Sequence, residues 1–536
     1  MPRSSTACLE HPKTCQALFQ LFLQGRAVTK KVSVVCIGAG PAGLTAGYLL
    51  TRDCQGARVT VLEQDESYVG GISRTVLYKG FCFDIGGHRF FSKSMEIECL
   101  WDELLGEDFL LRPRKSRILY RGKLFDYPLR AFDALGKLGI AEALRCILSY
   151  LSACLRPTKK PMNFEEWVTR HFGRRLFEIF FKTYTEKVWG MKCTEISADW
   201  AAQRIKGLSL FKAIWHALRP QAMTMGERQG TIKTLVTQFR YPRRGPGMLW
   251  AAAADRIRQK GGEVLLGQRV VELKDCGPGM GWEVTSRDGE GQERKFQCDH
   301  VISSMPLRSL GLIVQPALPE TILQCTNSLS YRDFLVVALI VRERHRFDDN
   351  WIYIHDPGVK VGRIQNFKSW SPDMVPDPAL NCYGMEYFCF EGDGLWTATD
   401  AELVDLAARE LIQLGLALPD EIVDGTVVRQ PKAYPIYDEG YESRVNLIRK
   451  HLEAVHPSLH LVGRNGMHKY NNQDHAMMTA MLTVKNIMAE KQLFDVWQVN
   501  QDAEYQEGNF LHEKTGDLLQ DKKVEERHVP EKVSSR

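Results

Sequence analysis

The stretch KKVSVVCIGAGPAGLTAGYLL, residues 30–50, decides the fold. Residues 32–37 are mostly β-branched and apolar, as suits a strand buried on both faces of a parallel sheet. Gly38, Gly40 and Gly43 follow in GxGxxG spacing around Pro41 and Ala42, and the helical run LTAGYLLTR comes next. A second strand, ARVTVLE (57–63), ends in Glu63, twenty residues beyond Gly43. Strand, glycine turn, helix, strand and acid, in this order, make a dinucleotide-binding unit. Gly38 allows the tight turn, Gly40 lets backbone approach a pyrophosphate, and Gly43 lets helix pack on strand. The helix N-terminus then faces phosphate charge, and Glu63 can accept from ribose hydroxyls.

The rest of the chain sets bounds on this reading. At 536 residues it predicts two or more lobes. The net charge of +5 is spread along the chain. KSRILYRGK and YPRRG read as solvated faces or anion sites, and no nucleic-acid motif accompanies them. The fourteen cysteines form no CxxC pair, and Cys36, Cys82 and Cys389 sit in apolar runs. Free thiols in a reducing cytoplasm are expected, with no metal site. Neither His451, His456 and His460 nor Met477, Met478 and Met481 have a metal-site pattern. Residues 1–30 read as a flexible extension without the marks of a signal peptide, and 500–536 as a disordered charged tail. LGIAEALRCILSYLSACL (138–155) is broken by Glu142 and Arg145. It predicts an amphipathic buried helix and no integral membrane span.

Further glycines extend the nucleotide site. YVGGISRT (68–75) would bring Gly70 and Gly71 against the dinucleotide, with Arg74 beside its charge. The arrangement from Glu63 through this pair resembles the flavoprotein branch of the amine oxidases, protoporphyrinogen oxidase, carotenoid desaturases and UDP-galactopyranose mutase. The resemblance implies FAD and an α/β fold. The fold implied by the resemblance would have the Rossmann-type FAD-binding domain of the GR2-type flavoproteins, a helical insertion and a mixed β-sheet substrate domain. Residues 31–104, 240–310 and 455–492 would form the discontinuous FAD domain, 105–239 the mainly helical insertion and 311–454 the substrate-side sheet. Within the FAD domain Val270 would meet the adenine end. Gly463 would end the last strand, and the helix after NNQDH would point its N-terminus at the flavin ring.

GFCFDIGGHRFFSK (80–93) then has a ligand to line. Gly86 and Gly87 allow backbone beside the ring, and His88 would stand over it. This stretch is similar to the mobile histidine loop of the eukaryotic-type UDP-galactopyranose mutases. FFKTYTEKVWGMKCTEISADWAAQRI (180–205) is similar to their segment with YTxKxWG and a downstream arginine, here Tyr184, Trp189 and Arg204. NWIYIHDPGVKVGRIQNFKSWSP (350–372) resembles the stretch with a second arginine, here Arg363. AYPIYDEGY and GRNGMHKYNNQDH resemble the late tyrosine and the closing flavin motif, here Tyr434, Arg464, Tyr470, Asn472 and Gln473.

The resemblance implies that reduced FAD acts as a nucleophile and interconverts pyranose and furanose forms of a nucleotide-activated hexose, in cell-surface glycan biosynthesis. NAD(P)H or another donor would be the reductant. It implies Arg204 and Arg363 on the diphosphate, His88 orienting flavin and sugar, and Tyr331, Tyr434 and Tyr470 on phosphate or base. Tyr184 and Trp189 would line the substrate. The sequence also departs from the family. LFDYPLRAF (124–132) lacks the glutamine and asparagine of a YPFQN-type uridine segment, and Arg89 follows the histidine. The alternative is an FAD-dependent oxidoreductase of the amine oxidase or desaturase type. The oligomeric state is not set by the sequence.

Overall fold

The strand Ser33–Ile37 lies at the middle of a five-stranded parallel sheet. The sheet order is Leu459–Leu461, His300–Ser303, Ser33–Ile37, Arg58–Leu62, Glu263–Leu265. Val34 lies beside Val59 and Val35 beside Val301. The chain runs outward from the first strand on one side and then on the other, so the order reverses at that strand. Ligands of such sheets bind at this switch point, beyond the carboxyl ends of the strands. The structure, a computed structural model, describes residues 31–127, 129, 131–155, 161–196, 198 and 238–500. The readings of residues 1–30, of Arg204 and of the tail beyond residue 500 lie outside the described residues.

Helix Pro41–Asp53 packs against helices Gly247–Gln259 and Gln473–Met488. An antiparallel meander, Arg269–Asp275, Trp282–Arg287 and Glu293–Cys298, carries Val270 at the edge of this lobe. The second large sheet has seven strands, among them the long neighbours Tyr331–Arg342 and Leu380–Cys389. Period-two alternation gives the interior strand Tyr331–Arg342 two buried faces. Leu335, Val337, Leu339 and Val341 pack with Leu403, Ala407 and Leu411 of helix Asp400–Gln413. Phe334 and Val336 pack with Ile85, just before the glycine–histidine loop. The two lobes therefore meet at that loop.

Within 105–239, expected to be mainly helical, 109–126 forms three strands, Phe109–Pro113, Ser116–Tyr120 and Lys123–Asp126, and the described residues from 131 to 189 are chiefly helical. The last two make a hairpin whose turn residues Arg121 and Gly122 both have positive φ, 49° and 70°, as the twist of paired strands favours. The helix Ile140–Cys154 is amphipathic as expected, but its apolar stripe is exposed. Its polar side is the one held by the protein. Glu142 accepts from Arg175 Nε, and Ser149 Oγ accepts from the Arg175 backbone N–H at 3.1 Å. Eleven described cysteines are free, but Cys99 is disulfide-bonded, against the expectation of free thiols throughout.

Among the described residues no helix is long and apolar enough to cross a membrane, and no group of three or more His, Cys, Asp or Glu is placed to hold a metal.

Candidate active site

A cavity of about 990 Å³ opens at the carboxyl ends of the parallel strands. Its wall includes Gly38, Gly40, Pro41, Ala42, Glu63, Gly71, Val270, Gly463, Arg464, Asn472 and Gln473, together with His88. Gly43 lies behind the wall, where a Cβ would come 1.9 Å from the Gly38 carbonyl oxygen. Helix and glycine turn touch there, and no other residue fits. Gly70 donates to the Ala39 carbonyl at 2.7 Å, which holds the second glycine pair against the first turn.

Glu63 is buried and accepts from the Ala39 N–H at 2.7 Å and the Asp65 N–H at 3.0 Å. Burial raises its pKa, and these two backbone donors oppose the rise. Arg74 donates to the Gly71 carbonyl at 2.9 Å and to Gln430 Oε1 at 2.6 Å, so it braces the turn from outside the cavity wall. No side chain caps helix Pro41–Asp53, and its first turn carries no acid. A cradle of close backbone, an uncapped helix end and a buried carboxylate at the second strand fit a dinucleotide.

The opposite side of this cavity holds the glycine–histidine loop. Strand Phe81–Asp84 delivers it, anchored by Asp84, which accepts from the Tyr241 hydroxyl and from Thr75 Oγ1 at 2.9 Å. Burial pushes the Asp84 pKa up to about 7. Gly86 has φ +101°, and a Cβ there would lie 3.7 Å from His88 Cε1, 3.8 Å from Arg363 Nη2 and 3.9 Å from Glu386 Oε1. A Cβ on Gly87 would meet Gln365 Nε2 at 2.9 Å. Burial and the charges of Arg464 and Arg363 lower the His88 pKa to about 3, so the imidazole is neutral. His88 Nδ1 is buried without a hydrogen-bond partner.

Arg363 Nε pairs with Glu386, whose other oxygen accepts from Gln365 Nε2 at 2.8 Å. Trp370 Nε1 donates to Gln365 Oε1 at 3.0 Å and closes the network. Burial works against the Arg363 charge, but Glu386 outweighs it and holds the guanidinium protonated. Arg464 lies over the rings of Tyr434 and Tyr470, 5.4 and 4.9 Å from their centroids. These two rings stack at 5.6 Å and 12°. Arg464 donates to the carbonyls of Asn471 at 2.9 Å and Ala433 at 3.2 Å, and among the described residues it has no acid partner. Tyr184 stacks on His355 at 5.1 Å and 6°, and burial, ahead of the opposing Arg363 charge, raises its pKa.

His88, Arg363, Tyr184, Tyr434, Tyr470 and Arg464 thus form one neighbourhood. Two expected residues lie elsewhere. Tyr331 packs in the core with Leu307 and Leu310, edge-on to His468 at 4.9 Å. Trp189 packs with Phe164, Val168 and Phe172 in the helical core. Both rings are apolar enough to be drawn into cores that the sequence pattern did not assign to them. Glu386, Gln365 and His355 were missed. Glu386 had a signal, a lone acid inside the apolar run NCYGMEYFCF (381–390). Lys187 is the lysine of YTEKVWG. Its Nζ donates to the carbonyls of Asp356 at 2.6 Å, Val361 at 3.2 Å and Ile354 at 3.4 Å.

Comparison with known proteins agrees with this geometry. The flavin-containing amine oxidoreductase family matches residues 41–470, and the chain belongs to that family. It is an FAD-dependent enzyme of the amine oxidase superfamily. A probable UDP-galactopyranose mutase of Klebsiella pneumoniae is 25% identical over 175 residues, 31% of this chain and 43% of that protein. An L-glutamate oxidase precursor of Streptomyces viridosporus is 42% identical over 74 residues, 14% of this chain and 10% of that protein. The chain thus matches less than half the length of these curated relatives. The crystal structure of a reduced UDP-galactopyranose mutase superposes with a TM-score of 0.72 at 21% identity, covering 86% of this chain and 94% of that one. A putative protoporphyrinogen oxidase from Exiguobacterium sp. 255-15 gives a TM-score of 0.64 at 18% identity, covering 86% and 100%. At these identities the likeness is one of fold.

Proposed function

We propose that the protein acts on a nucleotide-activated hexose and interconverts its pyranose and furanose forms. The observation that carries this reading is the charge of the neighbourhood around His88. Two guanidinium groups, Arg363 and Arg464, act on the imidazole, and one carboxylate, Glu386, offsets the first of them. A net positive, aromatic-walled site suits a diphosphate and repels an ammonium substrate. Bound FAD supplies a ring that, when reduced, is a nucleophile and an electron donor.

The chain's own residues do the positioning. Gly40, Gly70 and Gly71 hold backbone close to the dinucleotide, and Glu63 turns its carboxylate to the ribose. Gly86 and Gly87 keep the ring face open, and neutral His88 offers a hydrogen bond there. Arg363, with Arg204 as its intended partner, takes the diphosphate. Tyr184, Tyr434 and Tyr470 carry base and phosphate contacts. Burial raises the pKa of Tyr184 and Tyr434, so their hydroxyls remain proton donors at neutral pH. Tyr331 and Trp189 support the site from the cores behind it. A cytoplasmic reductant, NAD(P)H or another donor, keeps the flavin reduced in this scheme.

The test uses protein whose flavin is reduced with dithionite under nitrogen. UDP-galactopyranose and then other UDP- and dTDP-hexoses are added, and products are separated by anion exchange. An isomer peak that vanishes with oxidised flavin is the expected outcome. A second reading, an oxidoreductase, is favoured by one observation: Arg363 is already neutralised by Glu386. Flavin bleaching by an amine or apolar substrate, with no isomer from any sugar nucleotide, would replace the first reading with the second.

A further inference from the structure

We propose that His355 is a positioning residue: it holds a widened turn in the helix that carries Tyr184, and so fixes where that tyrosine meets the substrate. The inference rests on the reading of the site given above and deepens it. Residues 174–189 form one helical rod whose middle, Glu178–Lys182, is a π-helical turn, with α-helical Arg174–Phe177 before it and Thr183–Trp189 after it. A π turn closes from residue i to i+5, so it takes in one residue more than an α turn. That residue rotates everything beyond it by about 100° around the rod. Tyr184 and Lys187 lie beyond it. The turn therefore decides which way both side chains face. Such turns interrupt α-helices singly, and frequently at functional sites.

His355 stands across the two ends of this turn. It follows the strand Trp351–Ile354 and is 4% exposed. Its ring donates to the Ile179 carbonyl and stacks on the Tyr184 ring at 5.1 Å and 6°. Ile179 and Tyr184 have the i to i+5 spacing that a π turn closes. His355 Nδ1 has no hydrogen-bond partner, so Nε2 is the donor. Burial, and then the Lys187 charge, keep the imidazole neutral, with its one proton on that nitrogen. The attachment is reciprocal. Lys187 Nζ donates to the carbonyls of Ile354 and Asp356, on either side of His355. Helix and strand end thus clasp each other by side chain to backbone. Tyr184 in turn stands edge-on to Tyr353 at 5.3 Å and 86°, and Tyr353 pairs in register with Arg363. Loss of the turn would rotate Tyr184 out of the Arg363 neighbourhood without touching Arg363 itself.

The test uses the full-length, flavin-loaded protein. It reads hydrogen exchange of the 178–184 segment together with KM and kcat for whichever UDP- or dTDP-hexose is isomerised. His355→Phe keeps a ring against Tyr184 and removes the donor. It is expected to speed exchange in 178–184 and to raise KM roughly fivefold, while kcat, flavin spectrum and exchange in the parallel sheet stay those of the wild type. His355→Gln keeps a donor at the place of Nε2 and is expected to restore wild-type exchange and KM. In a Tyr184→Phe background, His355→Phe should change KM by less than about twofold, because a residue acting through Tyr184 has nothing further to lose. Unchanged exchange in 178–184, or a full KM effect in the Tyr184→Phe background, would overturn the proposal. So would faster exchange throughout both sheets with loss of flavin, which would make His355 an ordinary core residue. If no sugar nucleotide is turned over, the proposed function fails, and exchange in 178–184 by itself decides whether His355 holds the turn.

Discussion

At the residue scale, the site depends on a few close approaches. The contact of Gly43 with the Gly38 carbonyl leaves no room for a methyl group. Gly43→Ala is therefore expected to cost about 3 kcal/mol or more and to empty the protein of flavin, read by Tm and by the ratio of visible to ultraviolet absorbance. A yellow, fully stable variant would refute the role of that contact. Arg363 and Glu386 allow a separation of structure from function. Glu386 is fully buried and Arg363 partly so, and Arg363→Ala leaves an uncompensated buried carboxylate, with an expected cost of about 3–5 kcal/mol. Adding Glu386→Gln should recover most of that stability while turnover stays lost. Recovery of turnover along with stability would make Arg363 a purely structural cation.

At the element scale, the short helix Thr183–Trp189 carries Tyr184 into the site and is pinned at two points. Lys187 donates to three carbonyls of the 354–361 loop, and Arg332 donates to the carbonyls of Val188 at 3.2 Å and Lys187 at 3.3 Å. Burial lowers the Lys187 pKa to about 8, so it remains largely protonated at neutral pH and can hold all three acceptors. Lys187→Met is expected to cost about 2 kcal/mol, the scale of a charged hydrogen-bond cluster, and to raise KM more than it lowers kcat with flavin content unchanged. A variant with wild-type KM would show that Tyr184 does not depend on the pin. The sequence displayed this helix only as a motif. The acceptors come from a loop about 170 residues away, and nothing local announces them.

At the scale of the whole molecule, buried histidines set the acid stability. His88, His355, His460 and His475 have pKa values lowered to about 3 and His468 to about 4, each chiefly by burial. They stay neutral in the folded state and take up protons on unfolding below their ordinary value of 6.5. Each therefore removes stability as pH falls from about 6.5 towards 4, by on the order of 1.4 kcal/mol per pH unit. Asp84 and Asp474, raised to about 7 by burial, act in the opposite sense. They remain protonated in the folded state and add stability as pH falls from about 7 towards 4. Burial also raises the pKa of Glu63, Glu98 and Glu386, which act with the aspartates. The histidines stay neutral in the folded state across the whole window, so Tm is expected to drop between pH 6.5 and 4.5. A flat or rising Tm over that window would contradict the balance. The His355→Phe variant should reduce the slope by about one proton.

The parallel nucleotide unit was legible in the sequence because its determinants are local. Glycine spacing, the apolar strands and Glu63 all fall within residues 32–63, and each constrains backbone that its neighbours also constrain. The glycine–histidine loop was legible for the same reason. The tertiary structure alone decided the electrostatics of the site and the use of the long helix. Arg363 is neutralised because strand register sets it beside Glu386, and that register depends on which strands pair in the seven-stranded sheet. Helix Ile140–Cys154 reads as amphipathic from its period, but period does not say which side the protein will hold. The grip of Arg175, from a helix packed against it, turned the apolar stripe outward.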